Sequence, residues 1–190
     1  MKLLLHSCCA PCTIYPLIKL GEEGYKIEVL FYNPNIHPFT EYRNRLNSLK
    51  DFLKDKDIRL HIPEEYELKT FFRKVVNNES KRCLSCYQIR IDFSINYMKN
   101  HGFDAFSTTL LYSKYQNHDF IKKYAEMECR KDELDFAYAD FRKGWQDGID
   151  ESIRLEMYRQ KYCGCLYSEQ ERFDNRWKKR QRKLKGSLNN

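Results

Sequence analysis

Three short apolar runs, Lys2–His6, Ile27–Tyr32 and Ile58–Ile62, are separated by stretches whose apolar residues recur at helical spacing. The first stretch follows Pro11 and runs from Thr13 to Gly21. The second spans Thr40–Lys56 and places Tyr42, Leu46, Leu49, Phe52 and Leu53 on one face. Strands alternating with helices in this order must lie parallel, because each helix carries the chain back to the starting edge. The spacing therefore predicts an α/β fold built on an open parallel sheet with helical crossovers. Further helices are expected over Leu68–Asn77, Tyr87–Asn100, Asp119–Glu133 and Ile149–Tyr162, and further strands over Ala105–Leu110 and Phe136–Ala139. With 190 residues, no internal repeat and no low-complexity linker, the chain is expected to form one domain over 1–175 and a basic extension over 176–190.

Seven of the eight cysteines fall in three clusters: Cys8, Cys9 and Cys12, then Cys83 and Cys86, then Cys163 and Cys165. Thiols this close in sequence point to a soft metal or to electron exchange. In an open parallel sheet the ligand crevice lies beyond the carboxyl ends of the strands, which is where the first cluster follows the first strand. The N-terminus of the next helix is expected to favour thiolates there. Cys83 and Cys86 have the CxxC spacing that lets two sulfurs share one metal, and they would reach the crevice from a helical insertion. Zinc takes four N or S donors and an iron–sulfur cluster four cysteines, so the five thiols of the first two clusters exceed either requirement. Cys163 and Cys165 flank Gly164, whose missing side chain permits a short, strained, readily reduced disulfide or ligation of the same metal. Cys129 has no partner in sequence and is expected as a small buried hydrophobe. His37, His61, His101 and His118 form no ligand pair, and His6 is set apart only by lying beside the cysteine loop.

Lysine and arginine number 34 against 27 acids, a formal charge of +7. Much of the excess is one run, RWKKRQRKLKG, with Arg176, Lys178, Lys179, Arg180, Arg182, Lys183 and Lys185. Such a run suits a phosphate backbone, as would Arg142 and Lys143 beside the presumed fifth strand, although Asp140 and Arg142 can equally form a surface ion pair. The first apolar run is too short for a signal peptide and no stretch approaches the roughly 18 apolar residues of a membrane span, so a cytoplasmic protein is expected. No glycine-rich phosphate loop follows the first strand.

The segments LLLHSCCAPC, FYNPNIHP with the following EYRNR, CLSCYQIRI and YRQKYCGCLYS span nearly the whole chain. In that order they resemble the QueH-type epoxyqueuosine reductases. The resemblance implies an iron–sulfur enzyme, independent of cobalamin, that reduces the epoxide of epoxyqueuosine at the tRNA wobble position to give queuosine. It also implies an adenine nucleotide α-hydrolase/PP-loop-like topology, and as partners a tRNA carrying epoxyqueuosine and an electron donor. A 4Fe–4S cluster is expected on Cys8, Cys9, Cys83 and Cys86, with Cys12 as the substitute ligand. An additional iron ion, held by Cys12 or a neighbouring carboxylate, would polarise the epoxide oxygen. Cys163 and Cys165 are expected to cycle between dithiol and disulfide, so that they and Cys12 form the catalytic set. Two other readings are a zinc-stabilised RNA-binding module without catalysis and an ATP-dependent tRNA thiolation enzyme, the latter lacking its phosphate loop.

Overall fold

The structure of the chain, a computed structural model, describes residues 1–63 and 66–187, with side chains through Arg182. Leu3, Leu4 and Leu5 of β1 (Lys2–His6) have no exposed surface, as expected of a strand covered on both faces. β1 sits at the centre of five parallel strands in the order β3-β2-β1-β4-β5. Its neighbours are β2 (Lys26–Leu30) and β4 (Ala105–Thr108), with Leu5 opposite Val29 on one side and Ser107 on the other. The edges, β3 (Leu60–His61) and β5 (Asp135–Phe136), pair over two residues each. Both are shorter than the sequence pattern suggests, because an edge strand has a partner on one side only.

Helix α1 (Ala10–Glu22) starts with Pro11 in its first turn, where the missing N–H costs nothing. It packs against α2 (Phe39–Leu53) and α6 (Trp145–Arg154). The other packed group is α3 (Leu68–Val75), α4 (Arg82–His101) and α5 (His118–Lys131). Right-handed crossovers from a central strand to both edges place such groups on opposite faces of the sheet. The crossover direction reverses between β1 and β4, so the carboxyl end of β1 lies at the topological switch point.

Two segments depart from the sequence pattern near that end. The fourth helix begins at Arg82, not Tyr87, so CxxC forms the first turn of the β3–β4 crossover helix itself. The sixth stops at Arg154, where the pattern continues to Tyr162; Glu156 adopts a positive φ of 49°. Residues 155–165 then run as a loop into α7 (Leu166–Phe173), which the pattern does not predict, and the basic run forms α8 (Asn175–Ser187). Cys129 is 1% exposed and packs as a small hydrophobe. Among the described residues no helix is long and apolar enough to cross a membrane.

The α1–α6 contact depends on an absent side chain. A methyl group on Gly144 would fall on the Tyr15 ring, whereas one on Gly21 meets nothing within 4 Å. Gly144→Ala should therefore cost about 1–3 kcal/mol in denaturant unfolding. Gly21→Ala, inside α1, should gain up to about 1 kcal/mol. Equal stabilities for the two variants would contradict this packing.

Candidate metal centre

The chain leaves β1 at His6 and reaches α1 at Ala10, so Ser7, Cys8 and Cys9 turn over the switch point within one short loop. Main-chain and hydroxyl contacts hold that loop. The Cys8 N–H donates to Thr109 Oγ1 at 3.1 Å, the Thr13 hydroxyl donates to the Cys9 carbonyl at 2.7 Å, and Asn33 Nδ2 donates to the Ser7 carbonyl at 2.9 Å. Cys9 caps α1 and Cys12 lies in its first turn, which brings the sulfurs of Cys8, Cys9 and Cys12 within 4.8 Å of one another.

The three thiols do not ionise alike. Cys8 is held well below the ordinary thiol value, first by hydrogen bonds from Cys12 and Cys9, then by the Arg90 charge and the Thr109 hydroxyl. Burial pushes Cys9 up, and Cys12 rises because it donates to Cys8 and Cys9 and is itself buried. The helix N-terminus therefore does not favour three thiolates, as the sequence suggests. Without metal, one thiolate is solvated by two thiols, since a second charge in so small a buried space would meet repulsion and desolvation together. A metal ion reverses this, because ligation requires each thiol to lose its proton.

Arg90 approaches the same loop from α4. It is 2% exposed, donates through Nη2 to Asn33 Oδ1 at 2.8 Å, and brings Nη1 to 3.9 Å from Cys86 Sγ. Cys86 is buried, and burial pushes its thiol up to about 12 despite Arg90. Cys83, one turn earlier, is exposed, and it stands outside the three-sulfur group, as does Cys86. His6 is neutral: burial first and Arg90 second lower it to about 3. Its Nε2 donates to the Tyr32 carbonyl at 3.1 Å and its Nδ1 accepts from the Thr108 hydroxyl at 2.9 Å, so neither nitrogen is free for a metal.

The third cysteine pair is positioned by Arg45 of α2. This side chain is 1% exposed and ion-paired to Glu41 at 2.7 Å, and it donates to the carbonyls of Cys163 and Tyr162 at 2.9 and 3.0 Å. Gly164 between the cysteines has a φ of +150°, and an added Cβ would stand 3.1 Å from Asn35 Nδ2. Glycine is required there for both reasons. Cys163 is exposed and accepts from Gln116 Nε2 at 3.4 Å; Cys165 is buried at the cap of α7. Burial raises Cys83 and Cys86, and any charge on Cys163 or Cys165 would raise them further, so these four thiols lie within electrostatic reach of one another.

A cavity of about 670 Å³ opens over the loop, lined by Cys8, Cys12 and Cys163 together with Arg45, Arg90 and Gln160. Gln160 Nε2 lies 3.7 Å from Cys12 Sγ. The cationic residues picked from sequence lie elsewhere: Arg142 is held by Asp140 in a two-point ion pair at 2.8 and 2.7 Å, and Lys143 is exposed beside it. Arg176, Lys178, Lys179, Arg180 and Arg182 lie on α8, while the side chains of Lys183 and Lys185 fall outside the described residues. Neither charge runs nor cysteine spacing singles out Arg45 and Arg90 in the sequence. Their signal was local, an acid or a cysteine four residues earlier on the same helix, Glu41 and Cys86.

The donor set is sulfur throughout, with every cysteine a free thiol, and this suits a thiophilic metal or an iron–sulfur cluster. Residues 3–171 match the family model described as epoxyqueuosine reductase QueH. An epoxyqueuosine reductase QueH of Dehalococcoides mccartyi is 39% identical over 90% of this chain and 94% of its own length. Those of Haemophilus influenzae and Thermotoga maritima are 33% and 31% identical, over 93% and 89% of this chain and 74% and 91% of their own lengths. With the match running from the first strand through the last cysteine pair, the chain belongs to the epoxyqueuosine reductase QueH family.

Proposed function

We propose that this protein reduces the epoxide of epoxyqueuosine at the wobble position of tRNA to the alkene of queuosine. The observation that carries the reading is that the family match covers all three cysteine clusters, with Cys8 and Cys12 of the first and Cys163 of the last lining one cavity. The reaction consumes two electrons and two protons and releases the epoxide oxygen as water. A site for it needs an electron conduit, a proton donor and a pocket open to RNA.

Cys8, Cys9, Cys83 and Cys86 are the proposed ligands of a 4Fe–4S cluster, with Cys12 as substitute for one of them. Bound there, the cluster would supply electrons singly. Cys12 lines the cavity, and when it is not a ligand its Sγ–H would be the proton donor to the departing oxygen. An additional iron ion beside the cluster would need Cys12 or a carboxylate. Glu171 is the one carboxylate lining the cavity among the described residues, and Arg82 already pairs with it. Cys163 and Cys165 pass a pair of electrons: oxidation of the two thiols to a disulfide releases two electrons and two protons, and an external donor restores them.

The strand order and the cysteine loop in place of a phosphate cradle support a PP-loop-like topology in which sulfur replaces the nucleotide site. Residues 1–175 would form the catalytic domain, and the extension over 176–190 would hold tRNA phosphates through Arg176, Lys178, Lys179, Arg180, Arg182 and Lys183, with Arg142 and Lys143 as further contacts. Free thiols in such number suit the reducing cytoplasm. A zinc-stabilised module without catalysis needs only four of the seven clustered thiols.

Anaerobically reconstituted protein, incubated with tRNA carrying epoxyqueuosine and dithionite, should yield queuosine on nucleoside analysis. An unchanged modified nucleoside from protein fully loaded with iron would contradict the reading. Cys163→Ser and Cys165→Ser should each keep the iron and sulfide of the wild type while turnover with a dithiol reductant falls to background. Loss of iron in either variant would make the pair ligands.

A further inference from the structure

The lining of the cavity is aromatic and cationic as well as sulfur-bearing. Tyr112 follows the 3-10 turn after β4, and Gly148 leaves room for its hydroxyl to cross α6, where a methyl group would collide with it. That hydroxyl donates to the Trp145 carbonyl at 2.9 Å, and the two rings stack with centroids 5.2 Å apart. Tyr115 meets Trp145 edge to face at 5.8 Å, and Lys114 Nζ lies 5.7 Å above the indole. Trp145 is thus held from three directions, while Tyr115 remains 87% exposed on the cavity rim.

Arg159, Lys161 and Arg172 line the same cavity, all exposed. None of the three is ion-paired among the described residues, and Glu171 beside them is engaged by Arg82. Cations gathered around a concave opening without counter-charge repel one another and concentrate anions. Single-stranded nucleic acid matches both kinds of side chain, since its bases stack on aromatic faces and its phosphates seek cations. A base can reach the sulfur floor only by leaving its own stack, which deprives the neighbouring base of a partner.

Resting on the tRNA reading above, we propose that Tyr115, backed by Trp145 and Lys114, stacks on the nucleobase next to the reacting one in the anticodon loop. Arg159, Lys161 and Arg172 bind the flanking phosphates. The platform thereby replaces the stacking that is lost when the modified base turns toward the thiols. This grip is local to the cavity and independent of α8.

The test uses fluorescence anisotropy of reconstituted full-length protein with two labelled RNAs. One is an anticodon stem–loop with guanosine at the wobble position; the other is the same stem closed by a short tight loop. Tyr115→Phe should bind the stem–loop as the wild type does. Tyr115→Ala should bind it roughly 5- to 100-fold more weakly, with an unchanged salt slope and wild-type iron content. The Arg159→Gln, Lys161→Gln, Arg172→Gln triple variant should lower the salt slope by about two. Wild-type affinity in Tyr115→Ala, or equal weakening on both RNAs, would overturn the platform. Conversion of epoxyqueuosine tRNA by the wild type is measured in parallel. Failure of conversion with Tyr115-dependent binding intact overturns the reductase reading and leaves the platform standing.

Discussion

A guanidinium buried to 2% exposure, with no carboxylate partner among the described residues, is the constraint on which this structure turns. Burying an uncompensated charge costs several kcal/mol, so Arg90 requires an anion at close range. The protein supplies it as Cys8, which is pulled toward thiolate with Arg90 among the causes, while Nη1 of the same guanidinium lies 3.9 Å from the Cys86 thiol. Arg90 also reaches Asn33, whose amide holds the Ser7 carbonyl, so one side chain of α4 ties together the loops after β1 and β2. The crossover helix and the cysteine loop are thereby set by one charge.

Arg45 solves the converse problem. The loop carrying Cys163 has no strand or helix to satisfy its backbone, and a carbonyl left unpaired in a buried setting is expensive. Arg45 takes two such carbonyls, Glu41 balances its charge, and the Tyr158 hydroxyl donates to the second oxygen of Glu41. The two arginines thus bring sulfur from opposite ends of the chain to one cavity, one through charge and the other through backbone hydrogen bonds.

Much of this was readable from the residues. Leu3, Leu4 and Leu5 form an unbroken apolar run because β1 is covered on both faces, and the CCxxC that follows falls at the switch point as a parallel sheet requires. The resemblance carried by LLLHSCCAPC and its companion segments holds across residues 3–171. The path of residues 155–165 was not legible. Helical spacing continues through it, but Glu156 in a left-handed conformation and the Arg45 bonds to Tyr162 and Cys163, 117 and 118 residues away, override local preference. Nor could the pattern place the cavity wall, because Tyr112 and Trp145 come together only once β4 and α6 have docked. Charge runs drew attention to α8, whereas the cations on the cavity rim are scattered in sequence.

The proposed iron–sulfur centre would draw its sulfur from separate segments at the carboxyl end of β1. Iron and acid-labile sulfide, counted in anaerobically reconstituted protein, test it most directly when Cys129→Ser serves as the control for a cysteine that is only packed. The account predicts about four irons and four sulfides per chain in both proteins, as a 4Fe–4S cluster requires. Stoichiometric zinc without sulfide, in protein that still converts epoxyqueuosine tRNA, would contradict it.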